Sequence, residues 1–451
     1  MAGFGDVRLD QRADWMVDRM VECGSVTVRR IGGNRAGEIA AHRFLDADSV
    51  SPEGLLEWTR ERTLEAARGL RIVAIQDTTE INFSGRDAKR HGLGPAGDGK
   101  AKGFFIHPLI AVDGDSDCLL GIIDAKIWTR PDDAGAKRPH RHQRALEDKE
   151  SYRWLEAARS AHDHLGKVAA SCVVVGDRES DIYPLFARLP EGIDIVVRAA
   201  RNRIVKSPTA GKLFEVGADL PVKTRCEVRV AARPGLKART ASLTIRAGAV
   251  CLARPSNSHL DDAPPSLTLN FVEARESDPV AGVTPLCWRL YTTLDVSTPE
   301  GACDVVRLYR QRWRIEEVFR VLKSDGLDLA ASQLSEAGRL FKLSALGLVS
   351  AARIIQLRDA RDGSTRPASD CIEATDYDAV GTLSAALEGK TARQKNPHAF
   401  GNLAWLAWVV ARLGGWNCYY KPPGPKTMAI GWTKLHDRLA GFKLARATED
   451  V

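Results

Sequence analysis

Arg71-Ile-Val-Ala-Ile-Gln-Asp77 and Cys172-Val-Val-Val-Gly-Asp177 are two short apolar runs, each closed by an aspartate. Runs of this length, rich in Val and Ile and cut off by turn residues, read as buried strands. Phe104–Val112 and Cys118–Ile127 read as two more strands, and Ile193–Val197 as a fifth. Charged stretches from about Glu147 to Leu165 and from Ser180 onward read as helices. Adjacent early strands followed by alternating helix and strand predict an α/β fold, a mixed sheet flanked by helices. Sites in such sheets form at strand ends, which singles out Asp77 and Asp177. Taken singly, each reads better as a turn or helix cap than as a ligand.

Outward from this centre the character of the chain changes twice. Residues 1–65 are helical in pattern: Trp15, Met16, Val17, Met20 and Val21 recur at helical spacing, and Pro52 opens a further helical stretch. Arg8, Arg12, Arg29, Arg30, Arg35 and Arg43 are spread through this segment. From these residues alone, solvated helix faces and nucleic-acid contacts are equally open readings. Residues 222–294 hold the β-rich segments Cys226–Ala231, Ser242–Ile245, Leu267–Val272 and Trp288–Leu294, which predict an antiparallel β insertion in the α/β domain. Beyond Pro299 the pattern is helical again, through Leu403–Leu413 to a Gly-, Pro- and Trp-rich tail.

Composition narrows the class. The 451 residues are 44% hydrophobic and 27% charged, which excludes a disordered or fibrous chain. Five charged side chains between Met1 and Asp14 are unlike a signal peptide. Leu340–Leu357, the most apolar stretch, carries Lys342 and Arg353 and is expected to fall short of a membrane span. No membrane partner is expected. Nine cysteines without a CxxC pair read as reduced thiols of a cytoplasm, not as a disulfide framework or zinc module. The net charge of +7 is compatible with a polyanionic partner without requiring one.

Tyr309–Lys323 carries the densest chemistry. On one helix at about 100° per residue, Tyr309, Arg312, Glu316 and Lys323 fall within a single arc of about 60°. Ile315, Val318, Phe319 and Leu322 fill an adjoining face that would be buried. A carboxylate held among cations stays ionised and can hold a divalent metal, while the cations grip phosphates. A surface helix laced with ion pairs is the plainer alternative. Asp77, Asp177 and Glu316 together make a hard-oxygen set suited to two magnesium ions roughly 4 Å apart, the arrangement of in-line phosphoryl transfer.

The pattern Tyr309-x2-Arg312-x3-Glu316-x6-Lys323 resembles the signature of the IS4-type DDE transposases, the group of the Tn5 and Tn10 enzymes. Gln76-Asp77-Thr78-Thr79 and Gly176-Asp177-Arg178-Glu179 are similar to the contexts of that family's two catalytic aspartates. Gly5-Asp6-x-Arg8-Leu9 and Ala41-His42-Arg43-Phe44-Leu45 resemble its N-terminal DNA-binding segment. Gly92-Leu93-Gly94, Lys149-Glu150-Ser151, Leu413-Gly414-Gly415-Trp416 and Pro422-Pro423-Gly424-Pro425 also resemble family segments.

The resemblance implies an RNase H-like mixed-sheet core with an antiparallel β insertion, flanked by helical domains. Its segments would be a DNA-binding domain (1–65), the core in two parts (66–221 and 295–345), the insertion (222–294) and a C-terminal helical dimerisation domain (346–451). Asp77, Asp177 and Glu316 would be the catalytic acids, binding two Mg2+ ions for which Mn2+ substitutes. Tyr309, Arg312 and Lys323 would hold the phosphates of the transposon end. Trp288 would stack on a flipped base, against the plainer reading of a core tryptophan. Arg8, Arg12, Arg43, Arg198 and Arg201 would contact DNA, though Arg198 and Arg201 read equally well as a solvated basic turn. The implied function is cut-and-paste transposition of an insertion sequence: binding of terminal inverted repeats, end cleavage through hairpins and joining of 3′-hydroxyls to target DNA. The implied enzyme is a homodimer in its synaptic complex, in a bacterial cytoplasm at the nucleoid. Family members usually carry a further helical segment before the Gly5-Asp6 match; its loss here is open to three readings, namely weakened end binding, a misassigned start codon, or a likeness to the naturally shortened inhibitors that some elements make.

Two other classes compete: a catalytically silent DNA-binding protein derived from a transposase, and a nuclease that cleaves without joining. Three intact acids argue against the first, and the flanking helical segments against the second. Gly94–Lys100 nearly spells a phosphate loop, but Ala101 stands where a Ser or Thr must be, so no nucleotide is expected. His140 with His142, and His162 with His164, lack further zinc ligands at suitable spacing. Glu317 points about 80° off the basic arc. Glu179 and Asp181 are expected at a helix start.

Overall fold

The computed structural model describes residues 4–83, 90–97, 101–131, 145–207, 209–230, 237–256, 262–324, 326–419 and 422–449. The His140/His142 pair and the end of the Gly94–Lys100 stretch lie outside the described residues.

Four helices open the chain: α1 (Val7–Cys23), α2 (Val28–Gly32), α3 (Arg35–Asp46) and α4 (Pro52–Ala67). Strands β1 (Arg71–Gln76), β2 (Thr79–Asn82), β3 (Gly94–Ala96), β4 (Ala101–Asp113) and β5 (Leu119–Trp128) follow. Next come α5 (Arg153–Leu165), β6 (Ser171–Gly176), α6 (Tyr183–Ala187), β7 (Ile193–Arg198), β8 (Ile204–Ser207), β9 (Gly211–Lys212) and α7 (Leu213–Asp219). Three longer strands, β10 (Val222–Val230), β11 (Arg239–Ala253) and β12 (Ser266–Glu276), are followed by the shorter β13 (Cys287–Thr292). The chain closes with α8 (Pro299–Gln311), α9 (Trp313–Lys323), α10 (Ala337–Ala360), α11 (Tyr377–Leu387), α12 (Leu403–Leu413) and α13 (Pro425–Glu449).

Local chemistry sets several of these starts. Ser51 Oγ accepts from the Gly54 N–H at 2.9 Å and Pro52 takes the first helical position of α4. Thr298 and Pro299 repeat the device at α8, where Thr298 Oγ1 accepts from Gly301 at 3.1 Å. Each hydroxyl satisfies an orphan N–H of the first turn, and proline's missing N–H costs nothing there.

The chain forms two compact units. Unit 1 comprises Met1–Arg68, Thr78–Ala134 and Arg314–Val451. In it β4 is the hub of an antiparallel sheet, pairing with β2, β3 and β5. Helices α4 and α10 pack on β5, and α1 packs against both α10 and α13. The helices of the first 67 residues therefore share a core with those beyond Ala337.

Unit 2 comprises Gly69–Asp77 and Gly135–Trp313. Strands β1, β6 and β7 run parallel, with Ile75 opposite Val175 and Val175 opposite Val196. Their interior positions are almost all buried, as parallel strands covered on both faces must be. Strand β13 then pairs antiparallel with β7, and β12, β11, β8 and β9 continue outward, with β10 also on β11. The expected β insertion is thus no separate sheet: it extends the edge of the parallel strands, because β13 satisfies the backbone groups that β7 would otherwise leave open. The mixed α/β architecture is consistent with an RNase H-like core.

Three expectations need correction. The helix expected from Glu147 starts at Arg153, after a short 3-10 turn at Glu150–Tyr152. The helix expected from Ser180 starts only at Tyr183, since Asp177 caps a 3-10 turn at Arg178–Ser180 instead. Leu340–Leu357 lies in α10, whose 24 residues are long and apolar enough to cross a membrane, yet 78% of its most apolar window is buried inside the protein. Lys342, expected to interrupt it, donates Nζ to the carbonyls of Leu45 (3.0 Å) and Ala47 (2.9 Å).

Candidate active site

Asp77 and Asp177 each follow the last residue of a strand, and those strands, β1 and β6, are adjacent and parallel. The register Ile75↔Val175 carries both aspartates two residues further, at the same level on neighbouring strands spaced about 4.8 Å apart. The two carboxylates therefore share one end of the unit 2 sheet, as their place after apolar runs predicts.

Each has a distinct environment. Asp77 is largely buried, and its Oδ2 accepts from Arg312 Nη1 at 2.8 Å. Asp177 is more open, and its Oδ1 caps the turn by accepting from the Glu179 N–H at 2.8 Å, while Ser180 Oγ donates to the Asp177 carbonyl at 2.6 Å. Gly176 lets this turn close, because a Cβ there would collide with Ser180. Behind the strands, the fully buried Gln76 donates Nε2 to the Trp154 carbonyl at 3.2 Å. Arg153 bridges Glu150 and Glu179, giving Nη1 to the Glu150 carbonyl (2.7 Å) and Nη2 to Glu179 Oε2 (2.7 Å). That contact joins the Lys149–Ser151 segment to the turn after Asp177.

The segment Tyr309–Lys323 departs from expectation. It is two helices and not one: α8 ends at Gln311 and α9 begins at Trp313. At the junction the Arg312 N–H bonds to the Tyr309 carbonyl at 3.1 Å, a three-residue spacing that changes the helical phase. A single 100° wheel therefore does not hold across Arg312. Tyr309 is only 5% exposed and sets its ring edge-on to Trp288, centroids 6.0 Å apart, so it belongs to the packed side of α8. Trp288 itself is half-buried on β13, opposite Ala274.

In unit 1, Glu316 stands half-buried in the first turn of α9 and Lys323 in its last. Burial lowers the Lys323 ammonium below its ordinary range, opposed by the carboxylates of Glu80 and Glu316. Glu80, on β2, is an acid that sequence reasoning passed over; its position three residues after Asp77, on the next strand, was the available signal. Glu317 is engaged elsewhere: Arg314 Nη1 lies 3.0 Å and Arg358 Nη2 3.1 Å from its Oε2.

Asp181 is corrected in role. Its carboxylate, fully buried, accepts Nε (3.0 Å) and Nη2 (2.6 Å) of Arg203 and the N–H groups of Ala200 (2.8 Å) and Arg201 (2.9 Å). It is a latch on the loop after β7, not a helix start. That loop carries Arg201, whose side chain is exposed, while Arg198 is half-buried with Nη2 at 3.4 Å from the Cys287 carbonyl. Of the N-terminal arginines, Arg8 and Arg43 are exposed, and Arg12 lies 4.9 Å from the Trp15 ring.

Among the described residues, no three Asp, Glu, His or Cys side chains are gathered into a cluster that could hold a metal ion. The donor chemistry of Asp77 and Asp177 nevertheless suits a hard divalent cation, which would compete with Arg312 for Asp77 Oδ2. Residues 69–346 match the family described as Transposase DDE domain, a span that holds both strand-end aspartates and Glu316. With the match covering well over half of its 451 residues, the chain belongs to the family of transposase DDE domains.

Proposed function

We propose that the protein is an IS4-type transposase that moves an insertion sequence by cut-and-paste. The observation that carries this reading is the pairing of Asp77 and Asp177 at one level of adjacent parallel strands, within the family match. In this reading Asp77, Asp177 and Glu316 hold Mg2+, with Mn2+ as a substitute. Bound there, the ions supply an activated attacking oxygen and charge neutralisation at the leaving 3′-oxygen.

The chain's own residues do the rest. Arg312 turns its guanidinium from Asp77 to the phosphate beside the cut, where a planar fork can bind two oxygens. Lys323 adds a point charge. Tyr309 acts through Trp288, holding that ring ready for a base displaced during hairpin formation. Arg8, Arg12 and Arg43 in the first helical segment, and Arg198 and Arg201 after β7, grip phosphates of the terminal inverted repeats and target DNA. The helices beyond residue 346 pair two copies in the synaptic complex, and the chain works at the DNA of a bacterial cytoplasm.

A second reading, a silent DNA-binding regulator derived from a transposase, draws support from the Asp77–Arg312 ion pair. One experiment separates the two. DNA carrying the inverted repeats that flank the gene is incubated with protein and Mg2+, beside Asp77→Ala and Glu316→Ala. End nicks, hairpins and joined products from wild type alone support the transposase. Equal binding by all three proteins, with no cleavage by any, supports the regulator.

A further inference from the structure

Unit 1 holds an open cavity of ≈ 420 Å3 whose lining includes none of Asp77, Asp177 and Glu316. Helices α1, α4, α10 and α13, strand β5 and the 370–376 segment build its wall, and its size suits a small molecule. Trp58, Leu120, Ile122 and Trp432 supply apolar surface.

Most of the wall's charges answer one another. Arg62 Nη2 is 2.6 Å from Glu373 Oε1, and Lys443 Nζ is 2.9 Å from Asp376 Oδ1. Asp370 is held by Arg366 at 2.8 Å. Asp18 accepts from Trp432 Nε1 at 3.3 Å and faces His436 Nδ1 at 3.3 Å.

Two opposite charges remain. Asp14 on α1 is open to the cavity and has neither a hydrogen bond nor an ion pair from its carboxylate among the described residues. Arg353 on α10 is 8% exposed; it gives Nη1 to the Asp370 carbonyl at 3.2 Å and lies 5.6 Å from the Trp432 ring, with no carboxylate in ion-pairing range. A guanidinium so removed from water is costly without a counter-charge. We propose that this cavity binds a small zwitterion of amino-acid type, its ammonium on Asp14 and its carboxylate on Arg353, with the apolar wall covering its body.

Charge state makes the site pH-dependent. Although Asp14 is exposed on the cavity side, the protein packed around its carboxyl desolvates it and raises it to about 6, opposed by Arg62 and Arg353 and reinforced by Asp18 and Glu373. Burial also lowers His436, keeping it neutral near neutrality. Asp370, paired with Arg366, and Asp376, paired with Lys443, complete the charged wall. An ammonium on Asp14 favours its ionised form, so binding strengthens as pH rises through 6 and weakens below it.

Calorimetric titration of the full chain near neutral pH tests this with three probes. They are L-phenylalanine, L-phenylalaninamide, which lacks the carboxylate, and N-acetyl-L-phenylalanine, which lacks the ammonium. The amino acid is expected to bind at least about tenfold more tightly than either partner probe, the worth of one charge-assisted contact. Asp14→Asn should lower its affinity about tenfold, erase its advantage over the N-acetyl probe and remove the loss of affinity near pH 5. Absence of saturable binding by L-phenylalanine, equal binding of the three probes, or an unchanged affinity in Asp14→Asn would each overturn the proposal. Because the charge test rests on the probes, it does not require replacing the buried Arg353.

Discussion

Asp181 and Arg203 meet with almost no water around either: their side chains are 0% and 5% exposed. The carboxylate's remaining capacity is taken by the N–H groups of Ala200 and Arg201, so the pair is both neutralised and hydrogen-bonded. Removing one member leaves the other charge buried alone, and such losses run to about 3–5 kcal/mol. Arg203→Ala is therefore expected to lower the denaturation midpoint in urea severely, whereas Arg201→Ala, whose side chain is exposed, should leave it nearly unchanged. Equal midpoints for the two variants would show that Asp181 is no latch. The contact spans 22 residues of sequence and no spacing rule announces it. Asp77 and Asp177 were legible for the opposite reason: each ends an apolar run, and strand ends are local events.

At the scale of elements, α9 is the case where ion pairs tie one helix to another. Arg314 Nη1 reaches Asp359 Oδ2 at 2.7 Å and Glu317 Oε2 at 3.0 Å, and Arg358 Nη2 reaches Glu317 at 3.1 Å and Asp359 at 2.6 Å. Two acids and two guanidinium groups thus link the start of α9 to the end of α10. These groups are partly exposed, so solvent screens them, and Glu317→Gln should cost no more than about 1–2 kcal/mol globally. Locally the effect should be plainer: amide hydrogen exchange in the first turns of α9 is expected to speed up relative to α10. Unchanged exchange there would mean that the apolar face of α9 (Ile315, Val318, Phe319 and Leu322) holds the helix alone. The network accounts for Glu317 lying off the basic arc, a direction the helical wheel predicts within α9. The wheel failed only across Arg312, because a wheel assumes an unbroken four-residue ladder and the junction uses a three-residue bond.

For the whole molecule, the excess of seven positive charges matters through where the arginines lie. If phosphate contacts dominate, affinity for the terminal repeats falls steeply with salt, and each lost contact reduces the slope of log K against log salt by about 1. Arg43→Ala is expected to show that reduction on repeat DNA and random DNA alike, since Arg43 is exposed to solvent, where a phosphate can reach it. A slope equal to wild type would remove the first helical segment from the DNA interface.

By itself the sequence determined the periodic and the local: buried strands as Val/Ile runs, helical stretches opening at Pro52 and beyond Pro299, two aspartates at strand ends, and family motifs in order. These follow from nearest-neighbour chemistry, which a linear pattern records. Only the tertiary structure decided which elements share a sheet or a core. Strand β13 closing on β7, α1 packing with α10 and α13, Arg312 pairing with Asp77, and the charges left over at Asp14 and Arg353 all join residues far apart in the chain. Such contacts arise where backbone groups and charges must be satisfied after burial, and the partner is whatever folding brings within reach.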